Sequence, residues 1–150
     1  MIDNLKSLFL RDLSKVKAEL TSYPSEASLY LKPEGIPNSG GVLIHHIAGN
    51  LRHFFGAVIA QDGYIREREA EFNAQLSIPE LLQALAAAGV ALEKSFDILT
   101  PEQMLENYPI EVFGGQILST QNVILNLLGH LNYHLGQINY HRRLIQHFID

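Results

Sequence analysis

Ser119-Thr-Gln-Asn-Val123-Ile-Leu-Asn-Leu127-Leu-Gly-His130-Leu-Asn-Tyr-His134-Leu-Gly-Gln137 is the stretch from which the architecture of this chain can be read. Ser119 or Thr120 can accept a backbone N–H bond and cap a helix, which the apolar spacing carries on to about Phe148. With His130 as origin and roughly 100° per residue, Val123, Leu127, His134, Gln137, His141 and Leu144 fall within about 60° of it. The histidines therefore lie in the apolar stripe that should face other helices, not on the polar side. His130 and His134 leave one face about one turn apart, and two imidazoles at that spacing can hold one transition metal.

Working outward, three more segments carry helical periodicity. The first, about Ile2 to Leu20, lines up Leu5, Leu8, Phe9, Leu13, Val16 and Leu20. Tyr23-Pro24 ends it, and the stretch through Pro33, Gly35 and Pro37 reads as loop. Asn38 or Ser39 can cap a second helix that runs through His46 and Phe54 to about Ala60. Ser77-Ile-Pro-Glu80 has capping-box spacing and opens a third, which ends near Thr100-Pro101. Between the second and third helices, 61–75 fits either a helical extension or a solvated connector, and its Arg66-Glu67-Arg68-Glu69 run reads as a solvated charged face. Tyr108 to Ile117 alternates weakly around Gly114-Gly115, which fits a short hairpin or an extended loop. The expected fold is all-α: one domain spanning 1–150, a four-helix bundle with long connections and a hairpin-like segment before the last helix.

Composition narrows the function classes. The chain has 150 residues, 47% hydrophobic and 18% charged, as an ordered globular domain does. A net charge of −5 without a Lys/Arg-rich block argues against nucleic acid as a partner. No apolar run approaches the ~20 residues of a membrane span, and the N-terminus lacks signal-peptide architecture, so a soluble, cytoplasmic protein is expected. With 7 His and no Cys, any soft-metal site must be built from imidazole. There is no Gly-rich phosphate loop, nucleophile elbow or H-E-x-x-H pair, and neither His-bearing helix carries the Glu-x-x-His pairs of di-iron bundles.

The second helix contributes His45, His46 and His53. With His46 as origin, Val42, Asn50, His53 and Ala57 lie within about 40°, whereas His45 is rotated about 100° away and reads as a boundary residue. His46, His130 and His134 thus form a three-imidazole set of the open kind used by catalytic metals, suited to Zn, Ni or Fe but not to Mg or Ca. Asn50 and Gln137, one turn beyond, either support the ligands or touch substrate; the alternative is hydrogen bonding between helices. His53 and His141 share these faces further along and are either pocket-wall groups or satisfied core histidines. His147 reads as surface. Arg142 and Arg143 either complement the helix dipole or attract an anionic substrate.

His46-Ile-Ala-Gly-Asn50-Leu-Arg-His53 and His130-x-x-x-His134-x-Gly136-Gln137, in that order along four helices, resemble the DinB/YfiT-like family of metal-binding four-helix bundles. The resemblance implies a divalent metal on His46, His130 and His134. It also implies a homodimer, and for some members transfer or isomerisation reactions with low-molecular-weight thiols such as bacillithiol or mycothiol. Leu135 departs from the pattern, in which a basic residue often precedes the Gly-Gln pair. The leading expectation is a metal-dependent S-transferase acting on a small-molecule substrate with a thiol cosubstrate. Its alternatives are a metal or small-ligand binding module, a metal-dependent hydrolase with His53 or His141 as base, and a structural bundle whose histidines bond only one another.

Overall fold

Leu5, Phe9, Leu13, Val16 and Leu20 recur every three or four residues, and all five are buried along one face of α1 (Ile2–Thr21). The computed structural model describes residues 1–148, and among these the chain is all-helical with no strand. After a short α2 (Glu26–Tyr30) comes α3 (Gly40–Leu51), which runs directly into a π-helical segment, Arg52–Ile59. An irregular connector leads to α4 (Arg68–Asn73) and then α5 (Ile78–Ile98). The short α6 (Pro101–Leu105) precedes α7 (Thr120–Ile145), which ends in a 3-10 turn, Gln146–Phe148. Four helical spans are long: α1, α3 with its π extension, α5 and α7. Both α1 and α3 pack against α5 and α7, so one core lies among all four. No helix among the described residues is long and apolar enough to cross a membrane.

The helix starts follow side-chain chemistry. Ser39, not Asn38, caps α3 by accepting from the Val42 N–H, and Ser119 caps α7 by accepting from the Asn122 N–H. Ser77 and Glu80 close a reciprocal capping box on α5, with Pro79 where a helix has N–H groups to spare. Gly40 opens α3 because a Cβ there would lie 2.0 Å from the Tyr23 hydroxyl. That hydroxyl instead reaches His141 Nδ1 at 2.8 Å and ties the end of α1 to α7.

The π segment carries Phe55 into the core, edge-on to Phe9 with ring centroids 5.0 Å apart and against Phe96 at 5.3 Å. Widening the helix frees carbonyls from the ordinary ladder, and hydroxyls from elsewhere fill in. Ser95 Oγ donates to the Phe55 carbonyl at 2.7 Å, and the Tyr108 hydroxyl donates to that of Phe54. The Phe55 carbonyl also keeps its i+5 bond from the Ala60 N–H at 2.8 Å. Ser95→Ala should therefore cost only about 1 kcal/mol, read from the urea midpoint, because the carbonyl retains one partner.

Two sequence expectations change. The hairpin before α7 is a tight turn with single bridges, Val112 to Gln116 and Asn107 to Ser119, and forms no strands. Its left-handed residues, Phe113, Gly114 and Gly115, turn the chain too sharply for a longer ladder. Arg142 lies in the last turn of α7, as the dipole reading expects, but it is not free to attract an anion. Its guanidinium pairs with Glu19, which also accepts from Asn139, and this locks α7 to α1.

Candidate metal centre

His46 projects from α3 toward α7 and is 7% exposed; His130 and His134 come up from α7 to meet it. One ring nitrogen from each lies within 4.8 Å of the other two. His46 Nε2 is 3.2 Å from His130 Nε2, and His134 Nε2 is 3.0 Å from it. Nitrogens held ~2.0–2.1 Å from one tetrahedral zinc would be roughly 3.3 Å apart, so a few tenths of an ångström of spreading accommodates a cation. The α7 ligands are half-buried where the helical wheel alone suggested full burial, so the centre lies at the rim of the core and opens toward solvent.

The outer ring nitrogens decide where the protons are. His46 Nδ1 lies 2.8 Å from Glu71 Oε2, a carboxylate that can only accept, so His46 carries a proton on Nδ1, and Nε2 is the nitrogen that the neutral ring presents inward as a lone pair. His134 Nδ1 donates to Gln137 Oε1 at 2.7 Å, which bares its Nε2 as well. His130 Nε2 faces both lone pairs, and one proton on it can satisfy only one of them. Three converging nitrogens with at most one proton among them are matched better by a cation than by hydrogen bonds. Burial, reinforced by His134 and His46, pushes His130 down to about 4 and keeps it neutral. Burial lowers His134 too, against the bond to Gln137.

Glu71 is the site residue that periodicity did not find. It lies on α4, 1% exposed, and takes a two-pronged contact from Arg66, with Nε 2.6 Å from Oε1 and an Nη 2.8 Å from Oε2. Burial alone would raise its carboxyl; the bonds from Arg66 and then His46 hold it below the usual carboxylate range. Arg66 therefore belongs to a buried pair, which corrects the solvated reading of 66–69 at that residue, while Glu67, Arg68 and Glu69 are exposed as expected. The connector it starts from is clamped over α3, and Phe72 of α4 packs on the His46 ring at 5.1 Å. A sequence signal did exist. Gly49 stands mid-helix three residues after His46, and a Cβ there would lie 2.1 Å from Glu71 Oε1.

The other predicted residues fall out differently. Asn50 is buried one turn after His46, and its Oδ1 has no hydrogen-bond partner among the described residues. Gln137 supports His134 from behind. His53 is half-buried in the π segment, its ring against Phe54 at 4.9 Å, and lies outside the three-nitrogen cluster. Both nitrogens of His141 are engaged. Nε2 donates to the Leu31 carbonyl at 2.8 Å, so Nδ1 must accept from Tyr23, and the ring serves as a core strut. His45 is outside the cluster, its buried Nδ1 without a hydrogen-bond partner among the described residues, and His147 is exposed.

Fold and site together define a helical protein with three converging histidines that could hold a cation, one of them backed by a buried carboxylate. The chain belongs to the family described as "Protein of unknown function (DUF1572)", a DinB-like family, whose model matches residues 4–148. No curated protein matches it closely enough to lend it an activity.

Proposed function

We propose that this chain is a four-helix bundle enzyme of metal-dependent S-transfer, with His46, His130 and His134 as the ligands of a divalent transition metal such as zinc, nickel or ferrous iron. The observation that carries the reading is the convergence of three ring nitrogens, two of them stripped of protons by Glu71 and Gln137. Three protein ligands leave coordination positions for a substrate, as in catalytic sites. A divalent cation there supplies the acidity that holds a bound thiol as thiolate at neutral pH. The chain's own residues do the rest. Glu71 and Gln137 fix the ring orientations, and the Asn50 amide, with its spare acceptor, and His53 orient the thiol and its acceptor.

The test is elemental analysis of protein purified without a His tag, followed by turnover of a panel of thiols with alkyl and aryl halides and epoxides. One metal per site is expected, with turnover lost on chelation and restored by adding metal. Ester turnover that needs metal but no thiol would select hydrolysis instead. Metal retained without turnover across the panel would select a binding module. Absence of stoichiometric metal would leave the histidines as mutual hydrogen-bond partners.

A further inference from the structure

One residue that contacts the histidine cluster, Gln137, also lines a cavity that the three histidines do not themselves line. It measures about 300 Å³ and runs between α3 and α7 under the loop that carries Ile36 and Pro37. Ile36, Pro37, Leu43 and Leu144 line it together with the uncharged polar Asn38, Gln137 and Tyr140, and no Lys, Arg, Asp or Glu does. His141 also forms part of the wall, but both its nitrogens are committed to Tyr23 and Leu31, so it offers a ligand no free hydrogen-bonding group.

The cavity is tied to the cation site through Gln137. This residue lines the cavity and accepts the His134 Nδ1 proton. On α3, Leu43 precedes His46 by three residues, and on α7 Gln137 follows His134 by three. Along both helices the cavity therefore begins about one turn from the histidines, and on α7 it extends as far as Leu144.

We propose that this cavity takes an uncharged aryl or short alkyl group of the substrate, whose reactive end reaches along the seam toward the three histidines. Apolar walls with a few polar groups at one end are the usual make-up of small-molecule sites. The absence of Lys and Arg from the lining disfavours a carboxylate or phosphate there, since neither would find a counter-charge. The inference rests on the metal-centred reading above for its reactive end, but occupation of the cavity is measurable without any metal.

Two titrations test it. In metal-free protein, benzyl alcohol should shift the methyl NMR signals of Leu43, Leu144 and Ile36, and Leu144→Trp, which fills the cavity from its rim, should abolish the shifts at Leu43 and Ile36. In cobalt-loaded protein, where the visible bands report sulfur ligation, benzyl mercaptan should bind about tenfold more tightly than ethanethiol. That advantage should vanish in Leu144→Trp while ethanethiol binding is unchanged. Ile36→Asp, which puts a charge at the cavity mouth, provides the same comparison should the tryptophan variant fail to fold. Unshifted methyl signals, or an aryl advantage that survives both variants, would overturn the proposal. Benzyl alcohol shifts without thiol ligation to cobalt would leave the cavity standing and remove the S-transfer reading.

Discussion

His130→Ala should abolish stoichiometric metal while leaving the helices intact. His130 is the nitrogen that lies against both of its partners, at 3.2 and 3.0 Å, so its loss leaves His46 and His134 as an incomplete pair. Four-ligand zinc sites supply ~10–16 kcal/mol in all, so one ligand accounts for roughly 3–4 kcal/mol, or a few hundred-fold in affinity. Competition with a chromophoric chelator measures that loss. Acid should show the same residue from the other side. Burial, with His134 and His46, depresses the folded His130 to about 4 from the usual 6.5. A depressed base binds its proton more readily in the unfolded chain. Its contribution to stability is thus complete above 6.5 and declines as the pH falls toward 4. The urea midpoint of metal-free protein should drop across that window, and the drop should be shallower in His130→Ala. An equally steep drop would exclude His130 as the titrating group.

Gly49→Ala should destabilise the protein by about 2–4 kcal/mol, although alanine is the better helix former. The added methyl would meet Glu71 Oε1 at 2.1 Å and Cδ at 2.7 Å, and the carboxylate is held there by Arg66 and His46. Expelling it breaks a buried ion pair, at a cost of about 3–5 kcal/mol, against about 1 kcal/mol gained in helix propensity. The clash disappears once the carboxylate is gone. In a Glu71→Ala background the same Gly49→Ala change should be neutral or slightly stabilising, and the two effects should be strongly non-additive. Additive effects would mean that Gly49 makes room for something other than Glu71. The milder Glu71→Gln leaves an acceptor for His46 but removes the charge, and should lower metal affinity ~10–100-fold.

These two sites show where a sequence is transparent and where it is not. The convergence of His46, His130 and His134 is legible because all three lie on helices, where residue spacing converts directly into direction. The capping residues of α5 and α7 were legible for a similar reason, since a cap and its N–H partner are three residues apart. Glu71 was not, because it reaches His46 across a connector whose path no periodicity encodes. The π segment was read as ordinary helix, since its apolar spacing is the same and the hydroxyls that stabilise it come from Ser95 and Tyr108, far along the chain. His141 was placed on the ligand face by its register, but its role is set by Tyr23 and Leu31, which helix geometry cannot anticipate.

The two-pronged grip of Arg66 on Glu71 has a consequence for the character of any bound ion. A carboxylate behind an imidazole pushes electron density toward the metal, which tightens binding but blunts the ion's pull on whatever else it holds. Arg66 withdraws part of that donation, because the negative charge of Glu71 is shared between a guanidinium and the His46 N–H. With three neutral imidazoles and a neutralised carboxylate, a dication keeps nearly its full double charge. Such a centre is short of electrons, and the partner that best completes it is an anion delivered from outside.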